Sequence, residues 1–340
     1  MMTGLGQDRN AGERCVRIAL VNNMPEAALH RTEHQFANLF AAAAKTISWE
    51  FYALPGIARQ PQHSQTGQKY RPASQLPFAD VDAVIVTGTE PRSADLRDEP
   101  YWGAMAELFD WLALEDVPAM FSCLASHAAV LHFDGIRRRR LPQKQFGLFP
   151  VTRARRHELT ERLRSSARVA HSRCNEISRD ALEECGYQIL TQAADAGVDL
   201  FVKEGRRNWL FSQGHPEYDP DTLHREYKRD VRRFLARAAD AYPAVPKNYY
   251  SDEERALLGQ FGRSVERIES AIADFPISKS ASSPAQGWMP ETAAVFSTWL
   301  RRISDEKTVR RGRGIPALNI RQHPVPRSLR SAAVAEALRG

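Results

Sequence analysis

The chain has 340 residues, 43% of them hydrophobic and 26% charged. That balance excludes whole-chain disorder and fibrous classes, and the length suffices for one large core. Four cysteines with neither a C-x-x-C pair nor zinc spacing exclude a disulfide scaffold and a zinc module, and no metal is expected. No apolar run approaches the ~20 residues of a membrane span, and residues 1–14 have no apolar signal segment, so a cytoplasmic protein without membrane contact is expected. The net charge of +6 is concentrated at the end. Residues 305–340 hold eight Lys/Arg against three Asp/Glu, leaving a nearly neutral body. No nucleic-acid-binding motif accompanies that basicity, so no nucleic acid is expected as a partner.

In chain order, Val16–Val21 reads as a buried strand ending at Asn22-Asn23-Met24-Pro25. Apolar residues at helical spacing predict a helix from Glu26 to Lys45. A second strand follows at Ile47–Leu54, then a long loop from Pro55 to Pro77. Val81–Val86 is a third strand, Pro100–Leu114 a helix, Val117–Ser122 a fourth strand and Leu124–His132 a helix. This alternation predicts a mainly parallel sheet with helices on both faces. Shorter strands are expected at Phe146–Thr152, Val169–His171, Gln188–Leu190, Val198–Lys203 and Trp209–Ser212. Helices follow at Asp219–Ala239, Asp252–Phe275 and Trp288–Ile303, with a Pro/Tyr-rich linker at Ala241–Tyr250 and a Ser-rich loop at Ile277–Gln286. The expected organisation is a loose N-terminus (1–14), one domain (15–304) and a basic tail (305–340).

Two segments carry chemistry. Phe121-Ser122-Cys123-Leu124-Ala125-Ser126 places a cysteine where a buried strand turns into a helix, a nucleophile-elbow arrangement. The helix N-terminus would favour a thiolate there, although these residues alone fit a structural core cysteine equally well. In the second segment, a strand ends in Gly214-His215-Pro216-Glu217 before an amphipathic helix. A thiolate needs a base, and the base needs an orienting carboxylate; His215 and Glu217 supply both.

Together the two segments resemble the Cys-His-Glu triad of class I glutamine amidotransferase-like proteins, and more narrowly the homoserine O-acyltransferase family. That resemblance extends to L-V-N-N-M-P (Leu20–Pro25), V-I-V-T-G (Val84–Gly88), Tyr101-Trp102 and L-P-Q-K-Q-F-G-L-F (Leu141–Phe149). It includes A-H-S-R (Ala170–Arg173), Arg229-Asp230, P-K-N-Y-Y (Pro246–Tyr250) and the Trp288/Trp299 segment, spanning about Val16 to Ile303. The elbow differs, reading S-C-L-A-S-H where the family typically has Trp, Gly and Gln after its cysteine.

The resemblance implies a three-layer, flavodoxin-like α/β fold. It also implies acyl transfer from an acyl-CoA co-substrate to the hydroxyl of L-homoserine, in methionine biosynthesis, with no cofactor and as a homodimer. Cys123 would be the nucleophile, His215 the base and Glu217 its support. Backbone amides of Leu124 and Thr89 would hold the oxyanion. Lys144, Ser172 and Arg229 would bind substrate, with Arg229 on the amino acid carboxylate. In the family, the loop position that falls here on Arg92 is glycine in succinyl transfer and glutamate in acetyl transfer; arginine can pair with a succinyl carboxylate. Succinyl-CoA is therefore the expected donor, with acetyl-CoA as the alternative. A glutaminase module and a non-catalytic binding protein are the other classes considered. His127 and the Arg137–Arg140 run are weaker candidates, the latter for CoA phosphates.

Overall fold

The computed structural model describes residues 15–43, 47–57, 67–203, 205–206, 208–277 and 289–312. The expected loose N-terminus (1–14) and residues 313–340 of the basic tail lie outside the described residues, as does most of the Ser-rich loop. The elements in order are β1 (Val16–Val21), α1 (Glu26–Ala43), β2 (Ile47–Ala53), β3 (Arg71–Pro72), β4 (Ala83–Val86), α2 (Trp102–Leu114), β5 (Ala119–Ser122) and α3 (Leu124–Asp134). They continue as β6 (Arg139–Pro150), β7 (Thr152–Arg153), β8 (Arg168–Glu176), α4 (Arg179–Glu184), β9 (Tyr187–Ile189), β10 (Thr191–Ala193), β11 (Gly197–Val198), β12 (Leu200–Lys203) and β13 (Trp209–Ser212). Last come α5 (Thr222–Leu235), α6 (Asp252–Ser264) and α7 (Met289–Gly312).

The main sheet has eight strands in the order β3-β2-β1-β4-β5-β13-β12-β9. Pairing is parallel from β3 through β13, and β12 and β9 add an antiparallel flank. The expected α/β class with a mainly parallel sheet is the observed one. β1, β4, β5 and β13 are almost wholly buried because helices cover both faces, which is why they read as continuous apolar runs. One face packs against α2 and α3 through Met105, Phe109, Trp111, Ala125 and Ala129. The other packs against α1 and α7 through Phe36, Leu39, Phe296 and Trp299. A third cluster joins β6 and β8 to α5 and α6 around Tyr227, Tyr249 and Phe275.

Several segments differ from the sequence reading. The expected loop between β2 and β4 contains β3 and a short 3₁₀ turn at Ala73–Phe78. β6 begins at Arg139, so two of the four arginines belong to an antiparallel ribbon with β8, with Arg139 bonded to Glu176. A solvent-facing ribbon tolerates charge, which hid the strand. The expected helix through Phe275 ends at Ser264, because Val265 is extended; a 3₁₀ turn at Glu269–Asp274 follows. Between them, the Arg267 guanidinium donates to the carbonyls of Phe234, in the last turn of α5, and of Ala239 beyond it. The Pro/Tyr-rich linker is docked: Lys247 exchanges backbone bonds with Phe146 and Leu148, and the Tyr249 hydroxyl donates to Pro220 O at 2.7 Å. Finally, α7 continues past Ser304 to Gly312.

Candidate active site

The sheet order places three loops side by side. β5 lies between β4 and β13, with Val86 opposite Phe121 and Ser122 opposite Ser212. Being parallel, the three strands release their following loops at one C-terminal edge, the usual ligand edge of such sheets. Those loops begin at Thr87, Cys123 and Gln213.

Cys123 has φ 50° and ψ −112°, a conformation unfavourable to any residue with a Cβ. Surrounding bonds impose it. Cys123 N–H donates to Ser212 O at 2.8 Å, and the buried Ser126 hydroxyl donates to Phe121 O at 2.7 Å while accepting from Ser212 N–H at 3.1 Å. The elbow is thereby tied to both β5 and β13. On its other side, a Cβ added to Gly88 would sit 3.0 Å from the Leu124 amide nitrogen. The β4 loop thus abuts the first amide of α3, bringing the segments of Leu124 and Thr89 together. Asn23 fixes that loop from beneath, its N–H donating to Thr87 Oγ1 at 2.8 Å and its side-chain amide to Thr87 O at 3.1 Å.

His215 N–H donates to Ala170 O at 2.9 Å, anchoring the β13 loop on β8. Its Nδ1 lies 2.9 Å from Oε1 of the buried Glu217, and Ser122 Oγ donates to Glu217 Oε2 at 3.4 Å. The ring stacks on Tyr218 with centroids 4.1 Å apart. Burial opposes a charge on His215, but the Cys123 sulfur and the Glu217 carboxylate outweigh it and hold the imidazole well above its ordinary range. The Glu217 contact is a hydrogen bond and the Cys123 sulfur acts on the ring through its charge, an arrangement suited to a thiolate–imidazolium pair.

Beside it lies a charged cluster. Ser172 Oγ donates to Glu226 Oε2 at 2.5 Å, and the Tyr218 hydroxyl donates to Glu226 Oε1 at 2.6 Å. Lys144 Nζ donates to Asp230 Oδ2 at 2.9 Å and stands 3.9 Å from Glu226, over the Phe146 ring. Lys144 falls where the β6–β8 register slips between Arg140 and Gln145, an irregularity that re-aims side chains. Arg229 reaches Asp230 at 2.9 Å and is half exposed. Lys144 and Arg229 hold the Asp230 carboxyl below its usual range although burial works the other way.

The structure therefore brings Lys144, Ser172 and Arg229 together next to His215. Sequence reasoning missed Tyr218, Glu226 and Asp230. Glu226 was findable: on α5 it precedes Arg229 by three residues and Asp230 by four, one helical face. Arg92 is exposed, its N–H bound to Glu99 Oε1 at 2.6 Å. His127 is buried in α3; burial and the neighbouring Arg173 and Arg138 guanidiniums push it down to about 3, so it stays neutral. The other cysteines stand apart from the elbow, Cys15 exposed and Cys174 and Cys185 half-buried. Among the described residues, no three His, Cys, Asp or Glu gather as a metal site, and no helix is long and apolar enough to cross a membrane.

Comparison with known proteins adds a name to this geometry. The chain is 41% identical over 304 residues to a homoserine O-succinyltransferase of Rhodopseudomonas palustris, covering 88% of this chain and 91% of that protein. It is 40% identical over 296 residues to one of Methylorubrum extorquens, covering 86% and 88%. Among solved structures, a glutamine amidotransferase of Thermotoga maritima covers 85% of this chain and 97% of that one, at 13% identity and a TM-score of 0.48. The family model for homoserine O-succinyltransferase matches residues 5–309. The chain belongs to the homoserine O-succinyltransferase family.

Proposed function

We propose that the protein transfers succinyl from succinyl-CoA to the hydroxyl of L-homoserine through an acyl-Cys123 intermediate, a step of methionine biosynthesis. The observation that carries this reading is the His215–Glu217 pair, with the Cys123 sulfur acting on the imidazole, beside the charged Ser172–Glu226 and Lys144–Asp230 cluster.

In the first half-reaction, the Cys123 thiolate attacks the thioester carbonyl. The amides of Leu124 and Thr89 flank the point where negative charge develops, and such donors contribute roughly 10²–10³ in rate. CoA leaves as its sulfur takes the His215 proton. Exchange of one thioester for another is nearly isoenergetic, which suits a sulfur nucleophile. In the second half-reaction, His215 takes the homoserine hydroxyl proton as the oxygen attacks the acyl carbon, and Sγ departs. Glu217 keeps Nδ1 protonated, leaving Nε2 to accept.

Homoserine is a zwitterion. The half-exposed Arg229 suits its carboxylate bidentately, and Glu226, held by Ser172 and Tyr218, suits its ammonium. Lys144 bonds Asp230 and stands 3.9 Å from Glu226, so it fixes the side of the cluster away from the substrate. On the family resemblance, Arg92, exposed on the β4 loop, pairs with the free carboxylate of the donor; an acetyl donor offers it nothing. On the family resemblance, the protein acts as a cytoplasmic homodimer with no cofactor of its own and no nucleic acid or membrane partner. Sedimentation tests the dimer.

The test of the activity is product analysis. Protein incubated with succinyl-CoA and homoserine should yield free CoA and O-succinylhomoserine in equal amounts. Ammonia from glutamine alone, with no acylated homoserine, would overturn the reading in favour of a glutaminase.

A further inference from the structure

His215-Pro216-Glu217-Tyr218 closes a tight turn, in which the Tyr218 N–H donates to His215 O at 3.4 Å. Proline at the second position pre-sets the backbone for such a turn. The turn folds Tyr218 back over the base. The two rings stack with centroids 4.1 Å apart and planes 20° from parallel. The bonds from His215 N–H to Ala170 O and from Nδ1 to Glu217 fix where the imidazole hangs. They leave its tilt soft, because rotation about the bond that carries the ring has broad minima. The flat face of Tyr218 removes that softness.

Tyr218 is itself held. It is 8% exposed and belongs to the apolar cluster of Phe146, Leu148, Ala170 and Leu223. Its hydroxyl donates to Glu226 Oε1 at 2.6 Å, and Glu226 Oε2 accepts from Ser172 at 2.5 Å. One rigid side chain therefore meets the base with its face and the acceptor carboxylate with its tip. The chain just beyond is pinned as well. Asp219 accepts from Asn38 of α1 at 2.8 Å, and Pro220 O accepts from the Tyr249 hydroxyl. An aromatic face also favours a cation laid on it, which suits a base that is an imidazolium for part of the cycle.

We propose that Tyr218 is a positioning residue with two separable duties: its ring sets the plane of His215, and its hydroxyl holds Glu226 at a fixed offset from that plane. The inference deepens the acyl-transfer reading and rests on it, with His215 as base and Glu226 as the site of the homoserine ammonium. The same imidazole serves the Cys123 sulfur in one half-reaction and the homoserine hydroxyl in the other. Homoserine is gripped at its amino-acid end, and two methylenes separate the carbon bearing the ammonium from the hydroxyl. A shift of Glu226 against His215 would carry the hydroxyl away from the base. A single ring spanning the two groups has no joint in which such a shift could occur.

Two variants of the full chain separate the duties. Tyr218→Phe keeps the face and removes the tip, whereas Tyr218→Leu removes both. The readouts are the burst of free CoA on mixing with succinyl-CoA and the homoserine KM. Tyr218→Phe should keep most of the burst rate while its homoserine KM rises roughly three- to tenfold, the worth of one hydrogen bond. Tyr218→Leu should show the same rise and also lose about tenfold in burst rate, since a slightly displaced base is penalised steeply. A wild-type burst rate in Tyr218→Leu overturns the proposal, as does a burst equally slow in both variants. Should Tyr218→Leu fail to fold, Tyr218→Phe decides, because an unmoved homoserine KM contradicts the second duty. If the wild type releases no CoA, the acyl-transfer reading fails by itself. Alkylation of Cys123 by iodoacetamide, with the exposed Cys15 as reference, then compares the variants without acyl transfer. An imidazolium held beside the sulfur favours the thiolate, so Tyr218→Leu should alkylate more slowly than Tyr218→Phe. Equal rates overturn the proposal.

Discussion

Gly88 and Leu124 face each other across the elbow so closely that one added carbon on Gly88 would lie 3.0 Å from the Leu124 amide nitrogen. The two residues lie after β4 and at the first position of α3, and their approach sets the gap between two sets of backbone donors. Gly88→Ala should force that gap open by a few tenths of an ångström. We expect acyl-enzyme formation to slow by up to roughly 10²-fold with thermal stability little changed, since catalysis is far more sensitive to displacement than folding is. Single-turnover rates with succinyl-CoA check this; a wild-type rate would remove the β4 loop from oxyanion binding.

The acceptor cluster separates the two half-reactions. Arg229→Ala and Glu226→Gln should each raise the homoserine KM strongly, with a cost of roughly 1.5–3 kcal/mol for a lost charged partner. Acylation of Cys123 should remain nearly normal in both, because neither side chain is bonded to His215 or Glu217. Equal damage to acylation would mean that the cluster supports the triad and does not bind the acceptor.

Much of this site is legible in the sequence, for a physical reason. β1, β4, β5 and β13 are buried on both faces, so each is a short, mainly apolar run whose end marks the loop that follows. The residues placed just past those ends, Asn23, Thr87, Cys123 and His215, are the ones the sheet gathers. The charged cluster is harder to read. Glu226 and Tyr218 lie in a helix and a loop whose polar residues look like solvated surface until β6 and β8 are folded over them. Arg139 and Arg140 hide a strand because a two-stranded ribbon open to solvent needs no apolar face. α4 is only six residues, too short for helical periodicity to register, although Ser178 caps it. In the sequence Arg173 reads only as part of A-H-S-R; its burial depends on the loop at Ala196, 23 residues away.

Donor choice is expected to follow Arg92. The residue is exposed on a loop whose backbone is fixed by Glu99, bonded to the N–H groups of Arg92 and Ser93. Arg92→Glu should therefore change charge without moving the loop. The ratio of kcat/KM for succinyl-CoA over acetyl-CoA should fall ten- to a hundredfold, the worth of roughly 1.5–3 kcal/mol. An unmoved ratio would place the donor carboxylate elsewhere.

Asp199 gives a signed pH prediction. Burial pushes it up to about 6, although the Thr191 hydroxyl and Arg173 pull the other way. In the unfolded chain the same carboxyl ionises near pH 4. Between roughly pH 4 and pH 6 the folded protein thus keeps a proton that the unfolded chain has lost, and stability falls as pH rises through that window. Asp199→Asn removes this loss. It should raise unfolding stability at pH 7.5 by up to about 3 kcal/mol and give no such gain at pH 4. Urea unfolding at the two pH values measures it; an equal change at both would mean that the carboxyl does not titrate between them.

We expect the strained cysteine between β5 and α3 to carry the acyl group. Intact-protein mass after brief exposure to succinyl-CoA, with peptide mapping of the adduct, tests it most directly. We expect one succinyl group, placed on Cys123, absent from Cys123→Ala and discharged on adding homoserine. An adduct that persists in Cys123→Ala, or that homoserine does not remove, would contradict the account.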